Sequence, residues 1–583
     1  MKDFLKNILS SAIGVILAIF MFIGTIITIV IIGGIVNTIF NPEGKIEPNS
    51  IVKIKFDYII SDKPNNDPFM NFSPLGDFEP NNSHNLYKVL NAIQLATNNE
   101  NVSGIFLDLN SFQSPGQASI KEIRDALQLF KEKGKFIYTY ANYFGKSAYY
   151  LASISDSIFM YPTGALELNG LNTTVPFFTE TMNEIGIKPE IIRHGKFKAA
   201  IEPFMLTEMS PENREQTETL LNDVWNTMLQ DISATRNLSI DSLNIIANDI
   251  ILSMLPFKPV ELGLIDGLMY PDEFKALLAK KINKDDIDDI SFISMLDLKE
   301  GKNNKSNNKI AIIYAEGNIN GDQKNIHSGY TKTIKKVLKD DDVDAVVFRV
   351  NSPGGSALIS DEILSQMQLS KQEKPIVVSM GNYAASGGYY ISCAADKIIA
   401  SPNTITGSIG VFGLLFTAQD LLTNKMKLHF DNVKTNEFAN IGELHRPLSQ
   451  GEKEAIQISV KNTYTEFITH VANARNMTTK EVDEVGQGRV WTGQRAKKIG
   501  LVDELGGLLE AIETAAELSE IKDFKIVEFP RSENGIEEFF NNIESVKEFA
   551  QKNIHQIYLE EIKTGFLNMQ GIQALLPVKY ELE

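Results

Sequence analysis

Ser386 stands in Gly381-Asn382-Tyr383-Ala384-Ala385-Ser386-Gly387-Gly388, after an apolar strand-like run from Ile376 to Met380 and before an apolar helix-like stretch. A serine at a strand-to-helix turn presents its hydroxyl where free backbone N–H groups and the helix dipole favour a developing oxyanion. Ala384, Ala385, Gly387 and Gly388 are small enough to let a substrate backbone approach, as a nucleophile elbow requires. On this string alone, a serine N-cap with glycines for tight packing reads equally well. Upstream, the strand-like run from Ala345 to Val350 enters Asn351-Ser352-Pro353-Gly354-Gly355-Ser356. A Pro-Gly-Gly turn at a strand's carboxyl end can aim an N–H outward, and parallel strands bring such ends together. Gly355 can then supply one oxyanion donor and Gly387 the other, although a lone turn of this kind is an ordinary loop signal.

A nucleophile needs a base. None of the seven histidines lies in a recognisable nucleophile–base pattern, and His194, before Gly195-Lys196-Phe197-Lys198, reads as incidental. With no HExxH, no CxxC and no clustered His/Asp set, neither a metal nor another cofactor is expected. The lone Cys393 sits in the apolar stretch from Tyr389 to Ala395 and reads as an inert core thiol. A lysine can serve as base only if burial drags its pKa down several units from about 10.4. Lys196-Phe197-Lys198-Ala199-Ala200-Ile201-Glu202-Pro203-Phe204 sets a lysine against apolar neighbours, yet from the residues alone a solvated charge is the plainer reading of Lys198.

The elements that must position these groups come in two copies. Asn142-Tyr143 and Tyr149-Tyr150 recur as Asn382-Tyr383 and Tyr389-Tyr390, and Asp156 and Pro162 recur as Asp396 and Pro402, all 240 residues on. Leu262-Gly263-Leu264-Ile265-Asp266 returns as Ile499-Gly500-Leu501-Val502-Asp503. Short continuous apolar strands alternate with amphipathic helices in each copy, which indicates parallel sheet covered on both faces and an α/β fold. The expected units are residues 46–300, a polar Asn/Lys-rich linker at 301–309, and residues 310–583, within a chain of 583 residues that has room for more than one core. The net charge of -18 is spread along the chain, which excludes the basic patch of a nucleic-acid binder.

Residues 1–45 read as a cytoplasmic stub and one transmembrane helix, because no charge interrupts the apolar run at 8–40. Lys2 and Lys6 precede that run and Glu43 follows it, so the positive-inside bias leaves the N-terminus in the cytoplasm and the remainder across the bilayer. From Pro530 onward, Phe539, Phe540, Ile543, Val546 and Phe549 keep a helical apolar spacing suited to packing or subunit contact.

Four strings together resemble the signal peptide peptidase A (protease IV) family: Tyr383-Ala384-Ala385-Ser386-Gly387-Gly388-Tyr389, Asn351-Ser352-Pro353-Gly354-Gly355-Ser356, Thr406-Gly407-Ser408-Ile409-Gly410 and Lys198-Ala199-Ala200-Ile201-Glu202-Pro203-Phe204. The resemblance covers nearly the whole chain after the N-terminal loop, in the same order, and matches the long fused form. It implies two tandem Clp protease/crotonase-like β-β-α units, Ser386 as nucleophile, Lys198 rather than Lys196 as general base, and Ser408 as the group holding the lysine. It places the Gly355 and Gly387 amides in the oxyanion hole. It also implies a single-pass serine protease of the bacterial inner membrane with a periplasmic catalytic part, assembled as a homotetramer and acting on cleaved signal peptides. Subtracting the repeat offset from Ser386 reaches Lys146, and adding it to Lys198 reaches Phe438, so each copy lacks what the other keeps. The competing readings are a catalytically silent crotonase-fold membrane scaffold and an acyl-CoA hydratase or isomerase on the same scaffold.

Overall fold

The structure is a computed structural model that describes residues 21, 46–63, 85–298, 306–322, 325–371, 373–530 and 571–575. The apolar run at 8–40 and the Phe539–Phe549 stripe lie outside the described residues, Met21 apart. Among the described residues no helix is long and apolar enough to cross a membrane.

In the first half, β1 (Ser50–Lys55), α1 (Leu86–Asn98), β2 (Val102–Asp108), α2 (Gln117–Glu132), β3 (Phe136–Phe144), α3 (Lys146–Ala152) and β4 (Ser157–Leu166) alternate, as the apolar runs predict. β5 (Lys188–His194), α4 (Pro211–Arg236), β6 (Gly267–Leu268) and β7 (Phe292–Ser294) follow. The first sheet is parallel throughout, in the order β6-β4-β3-β2-β1-β7.

The second half repeats the plan with β8 (Lys309–Glu316), β9 (Ala345–Ser352), β10 (Gly354–Ser356), α5 (Ala357–Ser370), β11 (Ile376–Ala385), α6 (Gly387–Ser392), β12 (Lys397–Ala400), β13 (Ile405–Gly407) and β14 (Val411–Thr417). Beyond them lie α7 (Gln450–Arg475), β15 (Val490–Thr492), β16 (Glu504–Leu505), α8 (Leu508–Leu518), β17 (Lys525–Phe529) and β18 (Gly571–Leu575). Its main sheet runs β15-β13-β11-β9-β8-β17, and β12 and β16 extend it beside β11.

The duplication is visible bond by bond. Tyr149 and Tyr389 each donate a hydroxyl over 2.9 Å to a backbone carbonyl, of Leu264 and Leu501 respectively. Asp156 accepts from Ile137 N as Asp396 accepts from Ile376 N, and Asp266 and Asp503 repeat the match with Ile158 N and Ile398 N. Charged residues at these points are therefore strand clamps, satisfying amides at the entry of parallel strands.

The two halves share one core. Ile54, Leu107, Ile137 and Tyr149 of the first half pack in the same apolar cluster as Ile310, Tyr314, Val347, Leu508 and Ile512 of the second. Across that seam the fully buried Arg349 of β9 pairs with Asp62 at 2.7 Å and Glu122 at 2.8 Å. Burial raises Glu122 to about 7 even against that guanidinium. Asn382 caps α2 from the opposite half, accepting from Ala118 N at 3.0 Å and Ser119 N at 3.3 Å.

Three local expectations change. β11 does not stop at Met380 but continues to Ala385, because β12 gives way to β13 on one side while β9 stays alongside on the other, across a register shift between Met380 and Ala384. Gly381 therefore lies inside the strand instead of ending it. Lys309, taken with the linker, opens β8, where its N–H donates to Asp344. Gly571–Leu575, in the stretch read as helical, is a strand: it lies antiparallel between β10 and β14.

Candidate active site

β5 leaves the first half and pairs antiparallel with β14 of the second over seven residues, from His194 opposite Val411 to Lys188 opposite Thr417. Four residues beyond β5 is Lys198. Directly after it, Ala200, Ile201 and Phe204 bury themselves against Phe412, Leu414 and Phe416 of β14, which pins the segment in place. Glu202 is fully buried and accepts from the Ser210 hydroxyl at 2.5 Å and from Asn213 Nδ2 at 2.9 Å, tying the turn to the start of α4. The Ala-Ala-Ile-Glu-Pro-Phe run is thus an anchor for the lysine that precedes it.

Ser386 follows the last residue of β11 and caps α6 with φ 56° and ψ -113°. A side chain at positive φ is strained, and such strain persists only where surrounding contacts enforce it. Here the Ser386 N–H donates to Gly407 O at 2.8 Å, and its carbonyl accepts from Tyr390 N at 2.8 Å.

The structure brings Lys198, Ser386 and Ser408 into contact. Lys198 Nζ lies 2.6 Å from Ser386 Oγ, 3.0 Å from Ser408 Oγ and 3.1 Å from Ser408 O. All three residues are 0% exposed. Burial, with no carboxylate near enough to oppose it, drives the Lys198 pKa well below its ordinary value. Lys196, two residues away, is exposed, with its ammonium 5.5 Å from the Phe197 ring centroid.

Gly387 follows Ser386 as the first residue of α6, and Gly355 is the middle residue of β10. Gly355 must be glycine: with φ 151°, a Cβ would sit 2.1 Å from Ile319 O. Gly388 packs so closely under the preceding turn that a Cβ would meet Ser352 O at 2.5 Å. His194 is elsewhere engaged, its ring 4.1 Å from that of Tyr464. Cys393 is buried with its thiol pushed up to about 12, which leaves it inert. Among the described residues no cluster of His, Cys, Asp and Glu could hold a metal ion.

Motif reading does not single out the loop Gly486–Arg489, yet it clasps both reactive segments. Gln487 O accepts from Phe197 N at 3.0 Å, Arg489 O accepts from Ser408 N at 2.7 Å, and the Ser408 hydroxyl donates to Gly488 O at 3.3 Å. A Cβ on Gly488 would lie 2.6 Å from the Lys198 backbone nitrogen. The short Gly486-Gln487-Gly488-Arg489 string is the available signal, and two glycines in a loop carry too little information to be read.

A profile of peptidase family S49 matches residues 129–284 and again 368–522, one match in each half. The chain belongs to peptidase family S49. Protease 4 of Salmonella typhi is 34% identical over 460 residues, covering 76% of this chain and 73% of that protein. Protease 4 of Haemophilus influenzae is 32% identical over 462 residues, covering 76% and 75%. Among solved structures, ClpP1 from Listeria monocytogenes aligns at 15% identity and a TM-score of 0.22, over 34% of this chain and 91% of that one. This S49 peptidase is a serine protease built from two tandem units in an α/β fold.

Proposed function

We propose that this S49 peptidase cleaves peptides with a Ser/Lys dyad, Ser386 as nucleophile and Lys198 as general base, by way of an acyl-enzyme. The observation that carries the reading is the 2.6 Å contact between Lys198 Nζ and Ser386 Oγ in a site sealed from water.

A neutral amine has two N–H donors and one lone pair. Ser408 Oγ and Ser408 O accept the two N–H bonds, and Ser408 Oγ is itself oriented by donating to Gly488 O. The lone pair is then left facing the Ser386 hydroxyl. As Ser386 Oγ attacks the scissile carbonyl, its proton passes to Lys198; the Gly355 and Gly387 amides stabilise the oxyanion. The resulting ammonium protonates the leaving amine, and the neutral lysine activates water for deacylation.

The substrate class is extended, apolar peptide, cleaved signal peptides in particular. In support, the groove between β10 and β14 accommodates a strand: Gly571–Leu575 of the chain itself lies there, with Ala574 opposite Gly355 and Gln573 opposite Phe412. The fuller reading follows the family resemblance: Clp protease/crotonase-like units, a membrane anchor at 8–40 with the catalytic part periplasmic, and a homotetramer.

A serine-directed fluorophosphonate should label the wild-type chain and not Ser386→Ala, and hydrolysis of a synthetic signal peptide should vanish with the label. A Ser386→Ala chain that still hydrolyses the peptide would reject the assignment. Unlabelled but folded wild type, inactive on every peptide, would favour the silent scaffold.

A further inference from the structure

We infer that the first half keeps a second peptide cleft, one that binds without cutting, in which Lys146 takes the free C-terminal carboxylate of an extended peptide. From the proposed function the inference borrows only the class of ligand.

A cleft of about 990 Å³ opens at the carboxyl ends of β2 and β3, lined among others by Asn110, Phe112, Asn142, Tyr143, Lys146 and Ser147. By the internal repeat, Asn110 stands for Asn351, Asn142 and Tyr143 for Asn382 and Tyr383, and Lys146 for Ser386. The scaffold beneath is the same. Asn110 Oδ1 accepts from Asn142 N at 2.8 Å, and Asn351 Oδ1 accepts from Tyr383 N at 3.1 Å, one position further along the matching strand. Both bonds link the chain at the carboxyl end of one parallel strand to the late part of the next.

The chemistry has changed while the cavity has not filled. No hydroxyl stands at the nucleophile's position, and Ser111-Phe112-Gln113-Ser114-Pro115 replaces the Pro-Gly-Gly turn, so the cleft cannot acylate. The groups present are those of a binding site. Tyr143 is 48% exposed and Ile59 71% exposed, apolar surface that water would rather see covered. Lys146 is half-buried, and its ammonium makes no hydrogen bond or ion pair with any described residue. The acid in the cleft's lining, Glu167, is engaged by the Tyr143 hydroxyl, whose pKa burial and that bond push up to about 12.

An amine thus stands where, in the other half, a scissile bond would meet the serine. A peptide that ends at this point, rather than running past it, presents a carboxylate there. A fragment released by an earlier endoproteolytic cut has such an end, whereas an intact protein segment does not. A charge-assisted contact at a half-buried amine favours the acid over the amide by about tenfold.

The test uses the full chain carrying Ser386→Ala, so that nothing is cut. An apolar peptide with an N-terminal fluorophore is titrated by anisotropy, as the free acid and as the C-terminal amide. The acid should bind about tenfold tighter, Lys146→Arg should keep that preference, and Lys146→Glu should abolish it. A photoreactive residue next to the C-terminus should cross-link within residues 109–114 or 142–148. Equal binding of acid and amide, a preference that survives Lys146→Glu, its loss in Lys146→Arg, or cross-links confined to the second half would overturn the inference. Wild-type hydrolysis, measured separately, bears on the Ser386 assignment alone.

Discussion

Replacing Lys198 by methionine should remove most of the catalytic rate and, at neutral pH, make the protein more stable. Methionine is close in length and apolar, and Lys198 is fully enclosed, so the substitution suits the cavity. For an amine that is neutral at pH 7, as the proposed mechanism requires, the cost to the fold relative to an unfolded chain in which it is charged is about 5 kcal/mol, given an ordinary lysine value of about 10.4. Its loss also removes contacts to Ser386 Oγ, Ser408 Oγ and Ser408 O, worth about 1 kcal/mol each. The balance is a net stabilisation of roughly 1–2 kcal/mol at pH 7. Because the folded pKa is depressed, the unfolded state binds the extra proton between the folded and ordinary values. Wild-type stability therefore rises with pH across that window, and the variant's advantage shrinks and reverses as pH approaches the ordinary lysine value. Activity needs the neutral amine, so the wild-type rate should fall as pH drops through the folded pKa. Loss of the base should lower kcat by about 10²–10⁴, and the residual rate should lack that acid limb. Hydrolysis of a quenched peptide and denaturant melts, each from pH 5 to 10, give both readouts, with Lys196→Met as the exposed control that stays active. Equal activity loss in both variants, or a Lys198→Met chain less stable than wild type at pH 7, would refute the argument.

Gly488→Ala adds a Cβ 2.6 Å from the Lys198 backbone and must push the amine off line. A displacement of about 1 Å lowers kcat by about 10²-fold with KM little changed, measurable by steady-state kinetics. Arg349→Met leaves Asp62 and Glu122 as buried acids without their cation and should destabilise by about 3–5 kcal/mol in a denaturant melt, with an unchanged midpoint counting against the seam as described. Deleting residues 571–583 frees the facing edges of β10 and β14, so the KM for added peptide should fall severalfold; an unaltered KM would mean the strand does not compete with substrate.

Much of this was open to reading because duplication and local strings are one-dimensional. Tyr149 and Tyr389 share an offset, and their equivalent hydrogen bonds follow from it. The strand-turn-helix around Ser386 shows in composition alone, since small residues and an apolar run are contiguous there. Lys198 is different. Its burial depends on β14 and on Gly488, 290 positions away in the chain, and residues so distant leave no periodicity for a local pattern to register. The proposed base was accordingly legible only through family resemblance. Arg349 was equally opaque, because a lone cation in the run from Ala345 to Val350 gives no hint of partners at Asp62 and Glu122. Gly381 misled for a local reason: glycine ordinarily ends a strand, but here a change of neighbouring strand carries β11 onward.

Lys198 and Ser386 stand 188 residues apart in the chain. On the proposed dyad, a ribosome releases the first half with an amine that has nothing to deprotonate, and the pair cannot form until the second half is finished. Even a completed chain stays harmless until β5 has found β14, since an undocked Lys198 is wetted, positive and no base. On that reading, tertiary closure is the activation step.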